Sequence, residues 1–373
     1  MEIVKDADNK VGGKYLNGAV VTIKAKEGTT ANNVKANGVA LAAEDGVYTV
    51  TFGYDDVNVT AFDDNVGARL EGYSLSIQED GDIGVNFYMS LDDSIASYSN
   101  AKMRFVIPTD SRNRSNIKTK TIYISISDAA TVKLNGKSYY VFKCPVAAKE
   151  MTATITAQVY VGDEAKGNPY TYTVRDYATY LLNHTADNAA YAKAAPLVKA
   201  MLNYGASAQT LFGNNTDSLA NKDVEYTGGL SAEEVKTAVK TVVDSASLTD
   251  LSTTTIADGL TFEGASLNLG SSTAYTLHYK ITGNVTPPAI TSQTDGITVS
   301  MKKQNGMILY YIHNIEAGHL LDNINIKIGD TSLIVNPASF MYAALKADVT
   351  QYNNLQDTVV ALYNFDKEAK NYQ

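Results

Sequence analysis

The chain repeats itself, and that restricts its folds more than any other feature. VAAKEMTATITAQV at 146–159 lies over IEAGHLLDNINIKI at 315–328 without a gap, at an offset of 169 residues (315 − 146). Farther on, AMLNYG from Ala200 matches ALYNFD from Ala361. In each copy two apolar strand-type runs come first, a turn follows, and helical sequence closes the unit. Self-similarity of this kind marks two copies of one structural unit. Function must therefore be sought in a duplicated module.

At 373 residues the chain is long for one domain, and a 45% hydrophobic content lets each part bury its own core. The boundaries expected are a small β module over 1–68, a first large module over 69–222 and a second over 223–373. In the small module AVVTIKA, VKANGVAL, GVYTVTFG and VNVTAF alternate apolar and polar residues, with Asn37-Gly38, Asp45-Gly46 and Asp55-Asp56 as turns. The first large module offers the strands LEGYSLSIQ, IGVNFYMSL, AKMRFVIP, KTIYISIS, YYVFKCPVA, TATITAQVYV and YTYTVR. Helical sequence follows. Thr173 with Asp176 can cap a short helix, Pro196 suits the first turn of a longer one, and Gly213 suits its end. Leu197, Met201, Ala208, Leu211 and Phe212 make an apolar stripe at helical spacing. Strands first and helices after predict a mainly β fold with α appendages: two related β-sandwiches, each ending in a helical pair. The polar connector over 213–229 predicts some freedom between them, and Ser231 with Glu234 forms a capping box for the next helix.

The two copies also serve as an internal alignment. GYSLSI at 72–77 matches GASLNL at 264–269, and the NFYMSL strand corresponds to TLHYKI, with Tyr88 set against Tyr279 and Phe87 against His278. Cys144 pairs with His313 and reads as a buried, inert thiol. Asn203 and Asn364 fall at one shared position and read as structural hydrogen-bonders to the neighbouring sheet. The loop over 163–168 is replaced by 331–336.

Little chemistry is encoded. Phosphate-loop and nucleophile-elbow patterns are absent. His313, His319 and Asp322 are too dispersed for a metal site, and no cofactor is implied. Candidate hydrolase carboxylates are Asp92, Asp93, Glu150 and Asp176, with solvated turns the better reading of the doublets. A net charge of −9 and the lack of a basic stripe argue against nucleic acid, and no run is long enough for membrane insertion. The N-terminus MEIVKDADNK has no apolar leader segment.

The segments LEGYSLSIQEDGDIGVNFYMSL, YYVFKCPVAAKEMTATITAQVY, YTYTVRDYATYLL and YAKAAPLVKAMLNYGASAQTLFG resemble a module of large secreted surface proteins from fibre- and starch-degrading gut anaerobes. Those proteins often carry dockerins and belong to cellulosome-like or amylosome-like assemblies. The resemblance covers residues 69–221 and brings no catalytic residue with it. It implies a secreted or surface-attached, non-catalytic protein that holds polysaccharide, α-glucan first, with surface-assembly proteins as further partners. A structural scaffold is the alternative and a glycoside hydrolase the third reading. With 25 Tyr and no Trp, any sugar platform must be tyrosine. The candidates are Tyr54, Tyr160, Tyr170, Tyr172 and Tyr310. Tyr170 and Tyr172, two apart, share one face of a strand.

Overall fold

A computed structural model describes residues 1–11, 14–26, 33–37, 39–53, 57–62, 67–76, 82–110, 118–134, 136–245 and 247–373. The protein is mainly β with helical appendages. In the N-terminal unit an antiparallel sheet of Glu2–Lys5, Val20–Lys24, Val47–Thr51 and Ala43–Glu44 closes on a core of Val21, Ile23, Val34, Tyr48 and Val50. Asp45 and Gly46 both take positive φ (50° and 77°) in the two-residue hairpin loop that joins two of its strands.

The first sandwich has eight strands: β1 (Ala68–Leu75), β2 (Gly84–Leu91), β3 (Ala101–Asp110), β4 (Lys118–Ser125), β5 (Ala130–Leu134), β6 (Lys137–Pro145), β7 (Ile155–Val161) and β8 (Glu164–Tyr172). One sheet runs β1-β2-β6-β5 and the other β4-β3-β7-β8, all antiparallel. Alternation decides the faces. Met103, Phe105 and Ile107 point inward from β3, and Phe105 meets Phe87 of the opposite sheet at 5.2 Å between ring centroids. The segment expected as a loop over 163–168 is instead most of β8, paired along β7. Its Gly167 (φ 71°) lies so close to β1 that a Cβ there would sit 2.9 Å from the Ala68 carbonyl oxygen. β5 escaped the sequence reading, because ATVKL is short and mostly exposed.

The second sandwich comprises β9 (Leu260–Leu269), β10 (Thr273–Ile281), β11 (Ile290–Ser292), β12 (Thr298–Gln304), β13 (Met307–Ile315), β14 (Ile324–Ile328) and β15 (Thr331–Val335). Its sheets are β9-β10-β13-β12 and β11-β14-β15. The pairing corrects the internal alignment by one residue at two places. Tyr88 shares a hydrogen bond with Ser74 at 2.9 Å, and His278 shares the matching one with Ser266 at 2.8 Å. His278 is thus the counterpart of Tyr88, and buried Tyr279 that of buried Met89. Likewise Val85 pairs Cys144 as Tyr275 pairs Ile312, so Cys144 matches Ile312 and not His313. The extra residue is absorbed by an irregularity near Asn314, whose φ is 62°. Cys144 is buried, and burial pushes its thiol up to about 12, which keeps it a weak nucleophile.

Helices α1 (Val174–Asn183) and α2 (Ala189–Phe212) close the first unit; α3 (Ala232–Ser245), α4 (Ala338–Lys346) and α5 (Val349–Tyr372) belong to the second. Thr173 caps α1 by accepting from the Asp176 N–H at 2.9 Å. α2 begins earlier than expected. Asn188 caps it, and Pro196 lies inside on the exposed side, where the carbonyl it leaves unpaired can turn to water. The stripe holds for buried Leu197, Met201 and Ala208, but Leu211 is half-buried and Phe212 is 41% exposed. Gly213 ends the helix with φ 60°. The Ser231–Glu234 capping box forms, and α3 buries Val235 and Val239.

The two sandwiches share one continuous core. α2 packs on α5, and Tyr204 stacks on Phe365 at 5.6 Å and 16°. These residues occupy the same position in AMLNYG and ALYNFD, so the copies meet through equivalent surfaces. The Thr358 hydroxyl donates to the Ser207 carbonyl at 3.1 Å, and the Ile83 N–H to the Ser271 carbonyl at 3.0 Å. The connector is tied down, contrary to the freedom expected of it. Arg175 donates to the Ala220 and Lys222 carbonyls at 3.2 and 2.9 Å, and the Tyr226 hydroxyl to Glu368 at 3.2 Å. Asn203 accepts from the Asn221 amide at 3.2 Å, and Asn364 exchanges two bonds with the Leu230 backbone at 2.7 and 3.0 Å. The sheet backbone expected as their partner is not what they bond: Asn203 meets the connector's Asn221 side chain and Asn364 the Leu230 backbone just past it.

One residue on, the copies diverge. A Cβ on Gly205 would meet the Met151 sulfur at 2.5 Å. Its counterpart Asp366 is 4% exposed, and one carboxyl oxygen accepts from the Gly318 and Leu320 N–H groups, each at 2.8 Å. Burial raises its pKa to about 6, with Asp322 adding to the rise while the two N–H groups and Lys370 oppose it. A native pKa above the unfolded 3.8 means the native state keeps a proton that the unfolded chain loses. Stability from this group is therefore full below about pH 4 and declines as pH rises to about 6, by up to about 3 kcal/mol. Asp366→Asn keeps an acceptor for both N–H groups. Its stability relative to the parent should rise between pH 4 and 7, as urea denaturation at stepped pH will measure; a difference that is flat with pH contradicts the assignment.

Candidate functional site

An exposed aromatic surface with polar neighbours lies where β1 and β8 meet and α1 begins. Both are edge strands, and their inward residues knit that edge together. The Tyr170 hydroxyl accepts from the Leu70 N–H at 3.2 Å and donates to the Ala68 carbonyl at 3.4 Å. Two residues on, on the same face, Tyr172 stacks on Tyr73 at 4.0 Å and 6°. The chain then turns into α1, where Tyr177, Tyr180 and His184 fall three and four residues apart on one helix face. Ring centroids lie 6.1 Å apart for Tyr177–Tyr180, 4.1 Å for Tyr180–His184 and 6.3 Å for Tyr180–Tyr191, the last from the first turn of α2.

The outer ring, Tyr180, is 47% exposed, while Tyr172, Tyr177 and Tyr191 are half-buried behind it. His184 Nδ1 lies 2.7 Å from the Tyr180 carbonyl, which fixes the imidazole against the ring. Asp176 and Asn183, exposed and within one turn of Tyr180, supply a carboxylate and an amide. Burial raises the Tyr172 phenol to about 12, helped by Asp176 and the neighbouring tyrosines, and burial followed by the Tyr191 hydroxyl pushes Tyr177 up. These phenols stay neutral at any physiological pH. The result is an aromatic ledge with one open face and hydrogen-bonding groups at its rim.

Family models, curated proteins and solved structures give no match to the chain.

The ledge is confined to the first sandwich. Ala265 stands where Tyr73 does, since it pairs Leu277 as Tyr73 pairs Phe87. Val335 stands where Tyr172 does, pairing Ile324 as Tyr172 pairs Ile155. Of the tyrosines expected to meet sugar, only Tyr172 belongs to it, as a backing ring. Tyr170 is withdrawn, because it is buried and its hydroxyl is turned to the β1 backbone at Leu70 and Ala68. Tyr310 is withdrawn as well: it is buried, donates to the Pro288 carbonyl at 3.0 Å and meets Tyr279 edge-on at 5.8 Å. Tyr160 is half-buried on a different face, under the Arg104 guanidinium. Tyr54 lies outside the described residues.

Tyr180, His184 and Tyr191 are not among the expected sugar contacts, although RDYATYLLNH at helical spacing places the first two on one face of the expected helix. The carboxylate candidates do not converge. Glu150 is buried and accepts from the Ala147 N–H at 3.0 Å, Asp92 and Asp93 start a single helical turn, and Asp176 belongs to the ledge. His313 is bound to Ser300 at 2.7 Å and His319 to Asp322 at 2.8 Å. Among the described residues no three acidic, histidine or cysteine side chains gather as a metal site would require.

Proposed function

We propose that the protein is a non-catalytic carbohydrate-binding protein of the cell surface, and that the ledge around Tyr180 in the first sandwich is a sugar-binding platform. α-Glucan is the polymer that the sequence resemblance points to. The observation that carries this reading is the half-open Tyr180 ring, flanked by the Tyr177, His184 and Tyr191 rings and rimmed by Asp176 and Asn183. A sugar ring presents C–H groups on its face and hydroxyls at its edge. A fixed phenol with flanking acceptors and donors matches both at low conformational cost.

Native affinity electrophoresis of the whole chain through gels containing starch, xylan or mixed-linkage β-glucan tests the reading. Retardation by one polymer is expected. Tyr180→Ala should weaken it about tenfold, equivalent to about 1.4 kcal/mol, with thermal unfolding unchanged. Retardation that survives Tyr180→Ala would move the site elsewhere. No retardation in any gel would leave the scaffold reading, which the shared rigid core of the two sandwiches favours.

A further inference from the structure

The outward face of the β4-β3-β7-β8 sheet carries a second arrangement with different chemistry. Lys102 and Arg104, two apart on β3, point to solvent between tyrosines of the flanking strands. The Lys102 ammonium sits 5.1 Å from the Tyr123 ring centroid, and the Arg104 guanidinium 4.4 Å from that of Tyr160. Tyr123 is 57% exposed. Directly across the strands Arg104 is flanked by Tyr123 and Gln158, and Lys102 by Ser125 and Tyr160.

Three observations set this face apart. First, no carboxylate of the described residues comes within ion-pair distance of Lys102 or Arg104, although the chain has a net charge of −9. Stacking on phenol rings orients both cations and leaves their charge intact. Second, the Arg104 Nε–H, removed from solvent, has no hydrogen-bond partner. A guanidinium is a planar fork whose donors match a carboxylate or sulfate, and no acceptor of the described residues engages this one. Third, the fold does not need the set. In the second sandwich Thr291 replaces Arg104 and Lys327 replaces Gln158, since Ile324 stands where Ile155 does and Thr291 pairs Lys327 as Arg104 pairs Gln158, and among the described residues no strand stands in the place of β4.

We infer that this face is a binding site for the anionic groups of an acidic polysaccharide, a carboxylate of a uronic acid or a sulfate ester, with Arg104 and Lys102 as the charge-recognising residues. The Ser125 hydroxyl and Gln158 amide beside them add hydrogen-bonding groups suited to a hydrated, extended polymer. Tyr160 then acts by holding Arg104 in place, its ring already covered on one side. The site adds a second ligand chemistry to the carbohydrate reading and fails or stands apart from the Tyr180 ledge.

The test is affinity electrophoresis and titration calorimetry of the full chain with polygalacturonate, its methyl ester, dextran sulfate and starch. Because the whole molecule is negative, a polyanion repels it unless a local site holds it. Retention by polygalacturonate or by dextran sulfate, weakening with added salt, is expected, and which of the two retains the chain identifies the anion. Arg104→Gln and Lys102→Gln should each weaken binding about tenfold, a loss of about 1.4 kcal/mol, with unchanged thermal unfolding. Tyr180→Ala should leave it intact. Retention of the methyl ester as strong as that of the acid, or Arg104→Gln binding as tightly as the parent, would overturn the inference. Retention by starch alone, or by none of the four, would overturn it too, while the ledge stands or falls with its own starch, xylan and β-glucan gels.

Discussion

Phe365→Ala is expected to lower stability by about 3–5 kcal/mol and to loosen both sandwiches, not only the one that contains it. The ring is buried and stacked on Tyr204 of the other copy, and the cores on either side form a single cluster. Truncation leaves a cavity bounded by both units. Thr358 and Ile83 cross the same boundary with hydrogen bonds to Ser207 and Ser271. Hydrogen exchange read by mass spectrometry follows each unit separately. Peptides from β2 and β7 should lose protection together with peptides from β10 and β14. The N-terminal unit, with a core of its own, should keep its protection. Loss confined to the second sandwich would show that the units unfold independently, and the shared core would then be contact without cooperativity.

Gln209→Leu should cost about 4 kcal/mol, since each buried polar group left unpaired costs about 1–3 kcal/mol. Gln209 is fully buried on α2, where its side chain makes four hydrogen bonds. Its amide donates to the Thr152 hydroxyl at 3.0 Å and to the Asn215 and Ser218 carbonyls at 3.3 and 3.1 Å. Its carbonyl accepts from the buried Ala220 N–H at 2.7 Å. Leucine fills the space and removes the partner of the buried Ala220 N–H and of the Ser218 carbonyl, while the Asn215 carbonyl keeps the Ser218 N–H at 3.0 Å. Chemical denaturation will measure the loss. Thr210→Val is the control, because the Thr210 hydroxyl only doubles back on its own helix, to the Ala206 carbonyl at 3.0 Å. Equal effects of the two changes would show that the connector is not held by Gln209.

What could be read in the sequence was whatever depends on neighbours along the chain. The caps at Thr173 and Ser231, the stop at Gly213 and the Asp45-Gly46 turn are local chemistry, and each forms as expected. The duplication was visible because apolar positions of a shared core vary slowly. What failed depended on pairing. One inserted residue near Asn314 displaced Cys144 from its true counterpart Ile312, and a strand can hide such a slip because its side chains alternate at every position. Tyr170 and Tyr172 share a face, as expected, but that face is the inner one, and only the register with Ile155 and Ala157 reveals it. Arg104, Tyr123 and Gln158 are far apart in sequence and become neighbours only when β3, β4 and β7 align. Gln209 looked like an interruption of an apolar stripe; its partners lie in a connector whose polarity suggested freedom.

The meeting of α2 with α5 through equivalent residues has one more consequence. Two separate subunits joined this way would dissociate on dilution, and any substitution would strike both at once. Here both halves are one chain, joined by an anchored connector, so their association is unimolecular and its effective concentration does not fall with protein concentration. Each half can also change alone. Among the described residues the second lacks one strand and the aromatic ledge of the first yet still contributes to the shared core, so the surface of one half can differ without loss of its partner.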